Sequence, residues 1–461
     1  MPAPLHVIIL AAGQGTRMKS ARPKVLHEIA GRAMLGHVID AAQQLAPAAI
    51  HVVVGHGGEA VRAWAAVHAG GVPLYWAAQA EQLGTAHAVQ QAMPQIPDAA
   101  QVLILYGDVP LVRTATLAAL IEAGRRTLAL LTVELADPAG YGRILRNRGR
   151  AITAIVEDKD ATPRQRAIRE VNTGLMSVPA KRLRGWLARV KNRNAKGEYY
   201  LTDIVGMAVK AGLKVAAASA VPDEVEGAND RAQLAHLERL YQARQAGALL
   251  ADGLALADPA RFDLRGRLTH GRDVHVDVGC VLEGTVVLGE GVHIGPYCVL
   301  RDVTLGAGTR VHAHSVLEGC TAGADCVIGP FARVRPTTQL ADGSHVGNFV
   351  EIKNAQLGAG TKANHLAYVG DATIGSRTNI GAGVITCNYD GANKHRTTIG
   401  DDVFVGSDTQ LVAPVAVGDG ATIGAGSTIT RDVPGGGLTI ARAREQKTLA
   451  VWKRPRKGGA G

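Results

Sequence analysis

From Ile399 onward an aliphatic residue returns at every sixth position, through Val405, Leu411, Val417 and Ile423 to Ile429, with glycine directly behind four of them. An α-helix repeats near 3.6 residues and a half-buried strand at 2, so this register fits neither. It fits a parallel β-helix built from hexapeptide repeats. The register also runs through Val276, Leu282, Leu288, Ile294 and Leu300, and again through Leu305, Val311 and Leu317. The back half of the chain is therefore expected to be a solenoid in which each coil buries the next. Aromatic residues are only 4% of the chain, which suits a narrow interior filled by aliphatic side chains.

At 461 residues the chain exceeds a single core, so further structure precedes the solenoid. The front half alternates short apolar runs, H-V-I-I-L near Val7, H-V-V-V near Val52 and V-L-I-L-Y near Ile104, with helix-like segments. That alternation predicts a Rossmann-like α/β domain with a mostly parallel sheet. After Pro222 the pattern becomes helical: Asn229 and Asp230 can each cap a helix carrying Leu234, Leu237 and Tyr241 on one face. The expected organisation is a sheet domain over 1–228, a linker helix over 229–250 and a solenoid over 251–461.

The net charge of +10 is spread along the chain and no motif that reads DNA or RNA accompanies it, so anionic small substrates are the expected partners rather than nucleic acid. The run Lys453, Arg454, Arg456, Lys457 reads as a solvated basic tail. The opening M-P-A-P-L-H-V-I-I-L has no basic leader and too short an apolar run for a signal peptide. No window approaches the ~20 apolar residues that span a bilayer, so no membrane insertion is expected. Five cysteines, at 280, 298, 320, 326 and 387, form no C-x-x-C pair and read as reduced packing residues of a cytoplasmic protein, Cys320 and Cys326 included although they lie one repeat apart.

Chemistry concentrates first at the end of the first apolar run, where L-A-A-G-Q-G-T-R-M is followed by Arg22, Pro23 and Lys24. Gly13 and Gly15 permit a tight turn that presents N–H groups to an anion, and Arg17 and Lys24 supply countercharge for phosphates. Neither the Walker ending G-K-[ST] nor G-x-G-x-x-G is present. A glycine turn alone would be a plain strand-to-helix connection; the Arg and the Pro-Lys pair make it a nucleoside triphosphate loop.

This loop resembles that of the sugar-1-phosphate nucleotidyltransferases. The resemblance sharpens, over essentially the full length, to the bacterial bifunctional family that joins N-acetylglucosamine-1-phosphate uridyltransferase to glucosamine-1-phosphate acetyltransferase. It is carried by Q-A-E-Q-L-G-T-A-H-A from Gln79, Y-G-D at Tyr106–Asp108, G-Y-G-R-I from Gly140, I-V-E-D-K from Ile155, V-N-T-G from Val171, G-E-Y-Y-L-T-D from Gly197 and Asn229-Asp230-Arg231. In the solenoid it is carried by N-F-V-E-I-K ending at Lys353, H-L-A-Y from His365 and I-T-C-N-Y-D-G-A-N-K ending at Lys394.

The resemblance implies a left-handed β-helix, magnesium, a homotrimer and a cytoplasmic enzyme that supplies UDP-N-acetylglucosamine for cell-envelope precursors. Residue by residue it implies that UTP and UDP-N-acetylglucosamine meet Leu10, Ala11, Ala12, Gly13, Lys24, Gln79, Gly84, Thr85, Tyr106, Gly107, Asp108, Gly142, Glu157, Asn172 and Asn229. Asp108 and Asn229 resemble the magnesium pair, which suits an ion that takes few hard protein oxygens. Taken singly, Asp108 is a turn residue after a strand and Asn229 a helix cap. Arg17 and Lys24 are the expected catalytic cations. Gln14 stands where members of the family often carry Lys, at the cost of one local charge.

In the solenoid the register breaks between Ile380 and Ile399, 19 residues that read as one more than three repeats, and an insertion projecting from a regular coil is a place for function. His365 resembles the family's general base for acetyl transfer. Most of the 16 histidines have no such role; His365 stands out because its neighbours match as well. Arg335, Lys353, Tyr368, Asn379 and Asn388, with Lys394, resemble the glucosamine 1-phosphate contacts, and Ala382, Asn388 again, Tyr389, Ser407, Ala425 and Arg442 those of acetyl-CoA. Two rival readings stay open at this point: a different nucleotidyltransferase whose solenoid only assembles or regulates, and a catalytically dead scaffold, against which the intact Arg17, Lys24 and Asp108 speak.

Overall fold

The structure, a computed structural model, describes residues 3–442; the basic run Lys453, Arg454, Arg456, Lys457 lies outside the described residues. The chain divides into two compact units, Met1–Gln242 and Ala243–Gly461. The dividing point falls inside a helix, Arg231–Ala251. Leu237 in its first half packs with Ile29, Met34 and Leu111 of the first unit, while Ala246 belongs to the core of the second.

The first unit is built on β1 (Leu5–Ala11), β2 (Ala49–Val54), β3 (Leu74–Ala78), β4 (Gln101–Tyr106), β5 (Ala129–Glu134), β6 (Gly142–Arg146), β7 (Ile152–Val156), β8 (Glu170–Pro179) and β9 (Ala216–Ser219). The strands lie in the order β9-β5-β8-β4-β1-β2-β3. β1 pairs in parallel with both β2 and β4. β8 is the exception to the expected parallel sheet, antiparallel to β4 and β5. The physical reason is the antiparallel hairpin of β6 and β7, whose β6 also joins β8; the chain returns without the crossover helix that a parallel neighbour would need.

Side chains of β1 alternate between two cores, Val7, Ile9 and Ala11 on one face and Ile8 and Leu10 on the other, which is why its apolar run is unbroken. The strand order reverses between β1 and β4, so their carboxyl ends open a crevice where ligands of such sheets bind.

Toward the amino ends of β1 and β2, His6 Nδ1 lies 3.0 Å from His51 Nε2, and both side chains are buried. Burial lowers the pKa of each below the ordinary histidine value. The unfolded chain therefore binds protons more readily, and stability is lost as the pH falls below about 6.5. We expect the first unit to melt at a lower temperature at about pH 5.5 than at about pH 7.5, and His51→Phe to flatten that dependence. A melting temperature independent of pH in this range would contradict it.

The second unit is the expected three-faced β-helix. One sheet of 11 strands runs from Ala255–Leu256 to Leu438–Thr439 and forms the first face. A 15-stranded sheet makes the other two, because the long strands Asp263–His270, Val281–Leu288, Val299–Leu305 and Val316–Ala322 turn a corner and serve both. The hexad aliphatics fill the interior. All five cysteines are free, and Cys280, Cys298 and Cys326 donate to carbonyls one coil on, those of Gly295, His312 and Ala341.

Ordinary coils take 17 or 18 residues, as in the pairings Ala363–Ile380 and Val405–Ile423. Ile380, however, pairs with Val405, 25 residues on. The break is therefore not three repeats and one residue: the chain advances two faces and carries seven extra residues between Cys387 and Thr397. The inward position that would have revealed this is held by a polar residue. Thr386 is buried, and its hydroxyl accepts from Gly370 N at 2.7 Å and donates to Gly370 O at 2.9 Å.

Along one corner Tyr297, His314, Phe331 and Phe349 stack with ring centroids 5.0–5.4 Å apart, and Leu366 follows on the next coil. All five have left-handed φ, and Tyr297, Phe331, Phe349 and Leu366 are exposed.

Candidate active sites

In the first unit the glycine loop leaves β1 and turns at Gly15, whose φ is 65° and where a Cβ would lie 2.7 Å from Lys24 Cβ. Glycine is needed there for the backbone and for room, and Lys24 lodges against the loop. Its ammonium pairs with Asp108, just past β4, and donates to Asn229 Oδ1 at 3.2 Å. The two candidate caps thus part company: Asp230 accepts from Gln233 N at 2.9 Å and caps the helix, while the Asn229 side chain meets Lys24.

Leu10, Ala11, Ala12, Gly13, Lys24, Gln79, Gly84, Thr85, Tyr106 and Asp108 line one cavity of about 300 Å³. Gly107 is not in its wall; a Cβ there would meet Val25 and Ala11. Gln79 is buried and donates to Gly84 O at 3.1 Å, so its NH₂ holds the loop and its carbonyl oxygen is the end left for a base. Gly84 has φ 114°, and a Cβ there would lie 2.6 Å from Tyr199 O. Gly84→Ala must displace this segment and reshape the cavity wall.

Gly142, Glu157 and Asn172 line an adjoining cavity of about 290 Å³ that shares Thr85 and Tyr106. Burial raises the Glu157 carboxyl pKa, opposed by the Thr202 hydroxyl donating at 3.0 Å. Asn172 Oδ1 and Tyr200 Oη are buried without a hydrogen-bond partner. Two such orphans in one cavity call for a polar ligand. Tyr200 and Thr202, with Lys196, also line it; they were not singled out from sequence, although the G-E-Y-Y-L-T-D segment that holds two of them was. Arg17, Asp108 and Asn229 line a third cavity.

In the solenoid the strand register gathers the second set. Asn348 pairs with His365, and Ala382, Ser407 and Ala425 each stand two residues past the paired Ile380, Val405 and Ile423. Asn348, His365, Ala382, Ser407 and Ala425 therefore form one column on successive coils, and Arg442 lies beside Gly424 and Gly426 at its end. His365 Nδ1 lies 3.2 Å from Asn348 Oδ1. A carbonyl oxygen only accepts, so Nδ1 carries the proton and Nε2 is left as the base. Asn348 opens the N-F-V-E-I-K segment that carried the resemblance, but nothing in that segment marks it as the partner of His365.

A second column alternates in sign, Arg265, Glu283, Arg301, Glu318, joined by ion pairs of 3.0 Å for Arg265–Glu283 and 3.2 Å for Arg301–Glu318. Arg335 and Lys353 continue it, so two cations follow in succession; Arg335 also pairs with Glu351 at 2.8 Å. Tyr368 is on the coil after Glu351, and Asn379 is on the neighbouring first face, ahead of the corner that carries Ala382. Asn388 is buried with its amide donating to Asp371, and the exposed Tyr389 donates to Gly391 O at 2.6 Å.

A switch-point cavity with a phosphate loop, followed on the same chain by a hexapeptide solenoid with an oriented histidine, defines a two-domain transferase. Family profiles agree: residues 7–171 match the MobA-like NTP transferase domain, 264–346 the GMPPB C-terminal domain and 396–431 the bacterial transferase hexapeptide repeats. "Bifunctional protein GlmU" of Alkalilimnicola ehrlichii is 59% identical over 99% of this chain and 97% of its own length. Those of Marinobacter nauticus and Stenotrophomonas maltophilia are 56% and 59% identical, each over 99% of this chain and 100% of their own length. The chain belongs to the GlmU family of bifunctional enzymes.

Proposed function

We propose that the cavity between β1 and β4 is the uridyltransferase site and the His365 column the acetyltransferase site. The enzyme transfers acetyl from acetyl-CoA to glucosamine 1-phosphate, then uridyl from UTP to N-acetylglucosamine 1-phosphate with release of pyrophosphate. The catalytic domains are residues 1–228 and 251–461, with 229–250 as the linker, nearly all of it helical. The observation that carries the first assignment is the convergence of Lys24, Asp108 and Asn229 beside the apolar base cavity.

In uridyl transfer the sugar phosphate is already ionised, so its oxygen attacks the α-phosphorus in line and the bond to pyrophosphate breaks. The protein must align the groups and neutralise charge. The Asp108 carboxylate and the Asn229 amide oxygen are hard donors already turned toward one cation, the Lys24 ammonium, and that donor set fits magnesium. Bound there, magnesium would neutralise phosphate charge. Lys24 and Arg17 bind phosphate oxygens, and Glu157 and Asn172 hold the N-acetyl sugar. Chelation of magnesium is expected to abolish pyrophosphate release and spare thiol release; uridyl transfer undiminished in chelator would overturn the metal assignment. Arg17→Ala is expected to lower kcat about tenfold or more with little change in UTP affinity, and normal turnover at saturating UTP would refute its role.

In acetyl transfer His365 Nε2 takes a proton from the sugar amine as its nitrogen attacks the thioester carbonyl, and CoA leaves as the thiol. Arg335, Lys353 and Lys394 neutralise the sugar phosphate, Tyr368, Asn379 and Asn388 position the sugar, and Ala382, Tyr389, Ser407, Ala425 and Arg442, again with Asn388, follow the CoA arm. The exposed ladder from Tyr297 to Leu366 supports self-association, as a homotrimer. No described helix is long and apolar enough to cross a membrane, and the proposed substrates, UTP and acetyl-CoA, support a cytoplasmic location.

The deciding assay mixes the protein with glucosamine 1-phosphate, UTP and magnesium and follows thiol and pyrophosphate. Pyrophosphate that depends on acetyl-CoA, after thiol, means two live sites in sequence. Pyrophosphate without thiol would leave a nucleotidyltransferase on an inert solenoid.

A further inference from the structure

The seven-residue insertion that carries Tyr389 and Lys394 springs from a coil held beneath it by one side chain. Asp371 is buried and left-handed, with φ 47°. Its Oδ1 accepts from Asn354 Nδ2 at 2.6 Å, and Asn354 Oδ1 in turn accepts from the Thr337 hydroxyl at 2.9 Å. Its Oδ2 accepts from Asn388 Nδ2, where the insertion leaves the coil. Its backbone oxygen accepts from Thr397 N at 3.1 Å, where the insertion returns. The neck is closed by His395 N donating to Asn388 O at 2.8 Å and by the Tyr389–Lys394 bridge.

We infer that Asp371 is a positioning residue for acetyl transfer: it clamps both ends of the insertion and fixes which end of the Asn388 amide is offered to substrate. This rests on the assignment of the acetyl site to this corner. Burial raises the Asp371 carboxyl pKa, but the bonds from Asn354 and Asn388 and the charges of Lys353 and Lys394 outweigh it and hold the group below the usual carboxylate range. The carboxylate is ionised and only accepts, so both neighbouring asparagines must turn their NH₂ groups inward. The oxygen of Asn388 is then the end available to a ligand, and it selects a hydrogen-bond donor such as the amine or a hydroxyl of an amino sugar. A neutral amide at 371 would offer one acceptor to two donors, so Asn388 would either flip or leave a buried N–H unpaired.

Asp371→Asn is nearly isosteric, and Asn tolerates the left-handed backbone. The expected result is a loss of kcat/KM for acetyl transfer on the order of 10- to 100-fold, chiefly as a raised KM for glucosamine 1-phosphate, with uridyl transfer unchanged. In an Asn388→Ala background the same substitution should cost less than about twofold more, because the effect travels through Asn388. Unchanged acetyl kinetics in D371N, or full additivity with Asn388→Ala, overturns the inference. Absence of acetyl transfer in the unsubstituted enzyme would instead overturn the assignment on which it rests. Should D371N not fold, hydrogen exchange on the unsubstituted enzyme decides: the amides of His395 and Thr397 should be protected like the coil amide Gly375 N, and fast exchange at both sinks the clamp.

Discussion

In His365→Ala, thiol release from acetyl-CoA falls by about 10²- to 10⁴-fold while pyrophosphate release from UTP and N-acetylglucosamine 1-phosphate keeps its unsubstituted rate. The sugar amine must lose a proton to become and remain an amide nitrogen, and Nε2 of His365 is the group whose tautomer the Asn348 carbonyl fixes. Asn348→Ala should show a smaller loss, because the ring remains but its orientation is no longer held. His365 is exposed and outside the solenoid core, so its removal does not threaten the fold. Two assays on one preparation check this. Loss of both activities would mean that His365 serves folding rather than proton transfer.

The opposite separation is expected of Asp108→Asn: uridyl transfer falls by about 10³-fold or more and acetyl transfer is untouched. Asn keeps the size of the side chain and one oxygen, so what is lost is the charge that faces Lys24 and that the proposed magnesium site needs beside Asn229. The two units have separate hydrophobic cores, which is why a defect at one site should not spread to the other. Raised magnesium should restore part of the activity; a variant with full uridyl transfer at ordinary magnesium would remove Asp108 from the site.

The solenoid was legible because a six-residue register has no competing regular structure, and the nucleotide loop because glycine pairs and spaced cations have a direct phosphate chemistry. Legibility failed where a position depends on three-dimensional neighbours. Thr386 hid the insertion's length, because a hydroxyl satisfied by Gly370 can hold an inward position that the pattern reserves for aliphatics. The antiparallel β8 reads like any other buried strand, since direction leaves no mark on composition. Asn348 and Asp371 act through partners 17 residues away, one coil on, a distance at which sequence shows only another polar residue. The proposed CoA contacts seemed scattered along the chain for the same reason.

The column from His365 through Ala382 and Ser407 to Ala425 has a geometric consequence. Neighbouring coils are separated by the spacing of hydrogen-bonded strands, about 4.8 Å, so three steps from the base to Ala425 span about 14 Å. In the proposed acetyl site the solenoid is a graduated scale on which a long, flexible donor is measured in whole coils from its reactive end. One coil inserted between His365 and Ala425 would leave both in a coil of the same kind and still put the proposed donor's thioester a full graduation out of reach of the histidine.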